Sequence, residues 1–256
     1  MSQVRLNKFL AERLGVSRRE ADDLIRDKKI TINGRTAVLG DRLEISKDGE
    51  FDENYKICYN NKIIPLKTDF IYIALNKPVG YVCSRRAQGG ARTLYELLPD
   101  KYKKLKTVGR LDKDSSGLIL LTNDGDFAYR MTHPKFQKEK IYEVDLDRPL
   151  APLHQQMISD YGIMLEDGVS KFTVIRRIDS PKLITGQNPH ELSEKTSETD
   201  RRKFTVVLTE GRNRQIRRTF AALGYKVVKL HRIKFSHYTL DDLASGRYQT
   251  LPAPID

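Results

Sequence analysis

The chain has 256 residues, with 46 Lys and Arg against 34 Asp and Glu, a net charge of +12 and a pI near 9.6. That length allows one or two domains, and 39% apolar residues suffice for a core. The basic excess predicts a polyanionic partner, nucleic acid ahead of a membrane surface, since no long apolar span or basic amphipathic helix occurs. Two cysteines without CxxC spacing, Cys58 and Cys83, and five scattered histidines predict neither a disulfide framework nor a metal site. No glycine-rich phosphate loop occurs, so no nucleotide cofactor is expected. The N-terminal stretch has no apolar leader, and a reducing cytoplasm is the expected location.

The first sixty-odd residues read as a small separate unit. Leu6, Phe9, Leu10 and Leu14 fall at helical spacing, and Gly15 closes that helix. Ser17 and Glu20 have capping-box spacing, so a second helix starts there, with Ala21, Leu24 and Ile25 on its apolar side. KITINGRTAV follows, two short alternating runs around Asn33-Gly34, which is a hairpin signal. Residues 46–68 are polar and mixed and read as a tail and linker.

A buried strand, IYIALNK, opens the second unit after Phe70, and Pro78 and Gly80 end it. Strands then dominate: GLILLT, KIYEVDL, KFTVIRRI, KFTVVLTE and YKVVKLHRI. Helices are expected near Thr93–Leu98, Gly125–Thr132, Leu153–Ile158 and Asn213–Leu223. This pattern predicts an α+β fold around a mixed or antiparallel sheet. Residues 183–202 are polar with little apolar periodicity and read as a flexible loop between two strands. The expected division is 1–62 and 63–256.

Two stretches carry candidate chemistry. TVGRLDKDSSGLILLT, residues 107–122, holds Asp112 on a turn just before a strand buried on both sides. From Lys203 to Phe235 there are nine Lys or Arg against one acid, Glu210. Arg212, Arg214, Arg217 and Arg218 fall within seven residues at a helix start. So many like charges repel unless an anion joins them, either an RNA phosphate or a buried carboxylate.

The helix, Ser-Arg-Arg-Glu-Ala helix and Asn-Gly hairpin of residues 5–42 resemble an S4 RNA-binding domain. That resemblance implies RNA contacts through Arg18, Arg19, Lys28, Lys29 and Arg35. LNKPVG at 75–80, GRLDKDSSGLILLTNDGD at 109–126, KIYEV at 140–144 and EGRNRQIRR at 210–218 resemble, in order, the motifs of the RsuA-like pseudouridine synthases. Members of that branch also carry an N-terminal S4 domain.

The resemblance implies a catalytic domain that isomerises uridine to pseudouridine in ribosomal RNA without a cofactor. Asp112 matches the catalytic aspartate, Tyr142 the active-site tyrosine that stacks on the target uracil, and Arg217 the arginine that pairs with the aspartate. Lys77 and Pro78 match a motif that supports the site, and Gly109 and Gly117 meet backbone requirements. Arg110, Arg212, Arg214 and Arg218 are expected on flanking phosphates. The carboxylate has two possible roles, nucleophile or base at the sugar, and the sequence leaves both open. HPKF at 133–136 followed by KEKIYEV looks closer to RluB-like members, which points to large-subunit (23S) RNA. The alternatives are small-subunit (16S) RNA or a non-catalytic S4-type RNA-binding protein. The expected partner is ribosomal RNA or a pre-ribosomal particle, with no membrane, and the protein is expected to be a monomer.

Overall fold

The N-terminal helices form where their sequence signals lie. The computed structural model describes residues 2–46, 50–87, 89–176 and 200–254. Helix α1 (Leu6–Leu14) ends on Gly15 in the left-handed region, φ 69°. Helix α2 (Arg18–Arg26) starts at Ser17, whose Oγ accepts from the Glu20 amide while the Glu20 carboxylate accepts from the Ser17 amide. Strands β2 (Ile30–Ile32) and β3 (Arg35–Thr36) meet through Asn33 and Gly34, both at positive φ, as a tight hairpin turn requires. β1 (Ser2–Arg5) pairs with β4 (Arg42–Ile45).

This unit extends further than its sequence pattern indicates. β5 (Ile57–Tyr59) and β6 (Lys62–Ile63) join a sheet of order β3-β2-β5-β6. Ile57 and Ile64 are buried with Phe9, Leu10, Ile30 and Leu43, and Leu66 packs against them. The expected boundary at 62 therefore cuts β6, and most of the supposed linker belongs to the N-terminal core. Strands of two or three residues are too short to show a period. The two units touch where Lys8 pairs with Asp126 at 2.6 Å.

Nine strands of the second unit form one sheet among the described residues. Its path is β13 (Thr173–Arg176), β14 (Lys203–Leu208), β10 (Lys140–Leu146), β15 (Val227–Phe235), β9 (Ser116–Thr122), β7 (Tyr72–Lys77) and β17 (Tyr248–Leu251). β8 (Lys106–Val108) pairs with β9, and β16 (Tyr238–Thr239) with β15. Every pairing is antiparallel except β9 with β15, so the sheet is mixed, and its parallel junction is central.

β7 and β9 are buried on both sides, as continuous apolar runs should be. Ile73, Leu75, Ile119 and Leu121 enter one core with Val144, Ile216 and Phe220. Tyr72, Ala74, Leu118 and Leu120 enter another with Phe127 and Met131 of α3 (Gly125–Thr132). Asp124 caps α3, accepting from the Asp126 and Phe127 amides.

α4 (Pro152–Gln156) continues into a π-type turn, Met157–Tyr161. β11 (Ile163–Leu165) and β12 (Gly168–Ser170) form a separate hairpin against α5 (Gln215–Ala222). The helix expected near Thr93–Leu98 is a 3-10 turn, Leu94–Leu97. Of the expected 183–202 loop, residues 183–199 lie outside the described residues, and Asp200–Arg202 form a 3-10 turn leading into β14.

Candidate active site

Asp112 sits on the turn that feeds β9, a turn fixed from within and by residues 77–83. From within, Ser115 donates its amide to the Asp112 carbonyl at 3.1 Å. From the LNKPVG segment, the fully buried Lys77 amine donates to the carbonyls of Ser115 (2.6 Å) and Pro78 (2.8 Å). Gly80 N–H donates to the Lys113 carbonyl at 2.7 Å, and the Leu111 amide meets Cys83 Sγ at 3.3 Å. Burial pushes the Lys77 amine down to about 8, against the pull of Cys83, Asp112 and Asp114.

The start of β9 leaves no latitude either. Gly117 has φ 105° and stands across the parallel junction from Arg232. A Cβ there would lie 2.2 Å from the Arg232 carbonyl oxygen and 2.6 Å from its nitrogen. Gly117 is therefore required twice, for its φ and for the close approach of two backbones. Gly109, at φ 70°, meets the first requirement.

The arginine run divides its work. Arg214 forms a two-pronged contact with Asp114, both oxygens at 2.9 Å, and reaches Asp112 Oδ2 at 3.7 Å. Arg217, on α5 and half-buried, donates to the Asp114 carbonyl and the Val227 carbonyl, both at 2.8 Å, and its Nε lies 3.3 Å from the Asp114 carboxylate. The expected pairing of Arg217 with Asp112 is thus corrected: Arg214 holds the ion-pair position, and Arg217 anchors the turn two residues beyond. The physical reason is that the Arg217 guanidinium is taken up by the Asp114 carbonyl on the turn and the Val227 carbonyl of β15. Arg214, with Arg217 behind it, holds the Asp114 carboxyl below the usual carboxylate range.

Arg212 and Arg218, expected on flanking phosphates, carry partners within the fold. Arg218 pairs with both Asp167 oxygens, at 3.0 and 2.7 Å. Arg212 donates to the Asp167, Gly168 and Val169 carbonyls at the tip of the β11–β12 hairpin. Of the two anions that would relieve their repulsion, carboxylates supply the relief within the fold. Among the S4-type residues, Arg18, Arg19, Lys28, Lys29 and Arg35 are exposed on one unit. Lys29 and Arg35 carry surface partners in Asp27 and Asp41.

Asp112 and Arg110 open onto a cavity of about 470 Å³, which falls within the roughly 300–1,000 Å³ usual for ligand sites. Tyr142 lines it from β10, 8% exposed, next to a bulge between Ile141 and Tyr142 in the pairing with β15. A bulge re-aims the side chains beside it. Leu208, Ile216, Leu230 and Phe235 add apolar wall. Lys138, Lys140 and Arg232 also line it and escaped the sequence reading. Arg232 is 2% exposed, donates to the Leu118 carbonyl at 2.7 Å and lies over the Phe235 ring. Lys140 is held by the Lys138, Thr209 and Glu210 carbonyls, and burial, helped by Arg232, pushes its amine down to about 8. Asp114 and Asp167 were missed too; Asp-Lys-Asp at 112–114 was the available signal for the first.

A cavity with an apolar wall, a basic lining and a carboxylate at its mouth, in a chain that also carries an exposed basic S4-type unit, has the features of an enzyme acting on RNA. Residues 71–222 match the family model for RNA pseudouridylate synthase, and residues 4–47 match that for the S4 domain. The chain belongs to the RNA pseudouridylate synthase family, in the RsuA-like branch that carries an S4 domain, and is an RNA-modifying isomerase.

It is 35% identical over 254 residues to the ribosomal small subunit pseudouridine synthase A of Pasteurella multocida, covering 98% of this chain and 97% of that one. It is 34% identical over 251 residues to the protein of that name from Escherichia coli, covering 97% and 96%. The crystal structure of a pseudouridylate synthase superposes with a TM-score of 0.62 at 30% identity, covering 97% of this chain and 96% of that one.

These relatives overturn the expectation of large-subunit RNA. HPKF, on which it rested, builds the rim of the cavity: His133 Nδ1 accepts from the Lys135 amide, and His133 and Pro134 line the wall. A segment that shapes the common site says nothing of which RNA is brought to it.

Proposed function

We propose that this enzyme isomerises a uridine of small-subunit ribosomal RNA, working in the cytoplasm with Asp112 as its reacting carboxylate. The observation that carries the reading is the clamped turn. Lys77 and Gly80 from one segment and Arg214 and Arg217 from another hold residues 112–115, and the Asp112 side chain remains 28% exposed at the cavity. A group whose supports are spent on its backbone and on its neighbour Asp114 is preorganised to react. The substrate follows from near full-length similarity to small-subunit synthases.

The target base must leave its stack to reach the cavity. Tyr142 offers it a ring face, and the apolar wall excludes water. The Asp112 carboxylate then acts at the sugar, either attacking C1′ as the C1′–N1 pair departs with the uracil or removing a sugar proton. The freed base turns and C5 bonds to C1′, expelling the Asp112 carboxylate in the first case and, in the second, with Asp112 returning to the sugar the proton it took. The C5 proton leaves and N1 gains one, so nothing is oxidised and no group is donated. Arg214 keeps a positive charge 3.7 Å from the carboxylate throughout. The exposed cations of the S4 unit and Arg110 hold the RNA by its phosphates.

The test is a map of pseudouridines in both ribosomal RNAs from cells with and without the protein. The reading expects one small-subunit site to disappear. Loss of a large-subunit site instead, with the small-subunit pattern intact, contradicts it.

A further inference from the structure

Beyond the cavity, the end of α3 and the 3-10 turn Pro134–Phe136 gather three rings at its rim. The centroids of Tyr129 and His133 are 4.7 Å apart, those of Tyr129 and Phe136 5.7 Å, and those of His133 and Phe136 6.4 Å. The Lys135 amine lies 4.7 Å from the Phe136 centroid and 5.2 Å from that of Tyr129. His133 and Pro134 belong both to this group and to the cavity wall.

These rings are not part of the interior. The residues of α3 that pack inward are Phe127 and Met131, whereas Tyr129 is 45% exposed and His133 and Lys135 are exposed. Tyr129, His133 and Phe136 are met edge to face or tilted, so the group keeps ring surface in water. Helical spacing alone explains why Tyr129 and His133 touch. It does not explain why a cation and three rings gather where His133 and Pro134 line the cavity wall.

We propose that Tyr129 and Phe136, with Lys135, form a stacking platform for the unpaired base adjoining the extruded uridine. The inference rests on the reading that the cavity takes such a uridine. Extruding one base deprives its neighbour of a stacking partner. A strand whose uridine enters the cavity can leave it past His133 and Pro134, beside the platform. A planar ring offers any base a face, and an adjacent cation complements both base and phosphate. Lys135, which now covers the rings, moves onto the phosphate as the base arrives. A peptide or lipid partner would call for apolar depth beside the rings, and the rim offers an exposed lysine and the mouth of a nucleotide-sized cavity.

The experiment uses the full-length protein and a small-subunit RNA fragment that it modifies, with 2-aminopurine placed singly on either side of the target. Binding is expected to quench the probe on one side, because stacking quenches it. Tyr129→Ala with Phe136→Ala is expected to abolish that change and weaken RNA binding by about 10-fold or more, with the loss larger in KM than in kcat. Lys135→Ala, at an exposed position, tests the platform without touching the rings and is expected to weaken binding with a reduced salt slope. Unchanged affinity and probe signal in both variants would overturn the proposal, as would a kcat loss with no KM effect, which is what a merely structural role gives. Absence of pseudouridine formation by the wild-type protein would instead sink the functional reading.

Discussion

Replacing Gly117 by alanine probes the point at which fold and site are joined. The added methyl would stand 2.2 Å from the Arg232 carbonyl oxygen, where ordinary contact begins at 3.4 Å, so β9 and β15 would have to part by about 1 Å. The obstacle is backbone, which cannot turn away as a side chain does. Overpacking of this kind costs about 1–3 kcal/mol, and a positive φ in a non-glycine residue adds about 1–2 kcal/mol. The total, about 3 kcal/mol or more, is a large share of a domain stability of roughly 5–15 kcal/mol.

Urea unfolding followed by far-UV circular dichroism suits a chain with no tryptophan. The midpoint should fall with the slope unchanged. Isomerisation should fall more steeply than stability, because Ser115 and the Asp112 turn ride on the displaced strand. A variant that loses less than about 1 kcal/mol and keeps its rate would refute the claim that this junction positions Asp112.

Arg214→Lys keeps the charge but loses the fork that grips Asp114, and the rate of isomerisation should drop by about 10-fold or more while RNA affinity changes less. Lys77 is held at about 8 against an ordinary 10.5, so the folded protein binds fewer protons than the unfolded chain between those values. Its burial penalty is full below pH 8 and is relieved as pH rises toward 10.5. Wild type should therefore gain stability relative to Lys77→Met over that window, and parallel pH profiles would contradict the assignment. A fragment beginning at Asp69 removes the whole N-terminal core. It should fold by circular dichroism yet bind RNA more weakly and with a shallower salt dependence; failure to fold would show the S4 unit to be structural.

Much of this arrangement is legible in the sequence because it is local. Ser17 and Glu20, Gly15 and Asn33-Gly34 announce their own geometry within four residues, and GLILLT reads as a strand buried twice over. Asp112 stands out through its turn and the apolar strand behind it. What the sequence hides is long-range choice. The hairpin partners of Arg212 and Arg218 lie some forty-three to fifty-one residues away, and the partners of Arg214 and Arg217 on the Asp112 turn about a hundred away. Four adjacent arginines cannot disclose which carboxylate each will meet. Lys140 and Arg232 look like ordinary strand cations until β10 and β15 are laid side by side. β6 escaped because two residues have no period.

The central claim concerns one carboxylate, and Asp112→Asn tests it with nearly no change of volume. The measurement is pseudouridine formed per enzyme on small-subunit ribosomal RNA, beside the affinity of the same variant for that RNA. No product with near wild-type affinity is the predicted result. Product formed at the wild-type rate would contradict the account.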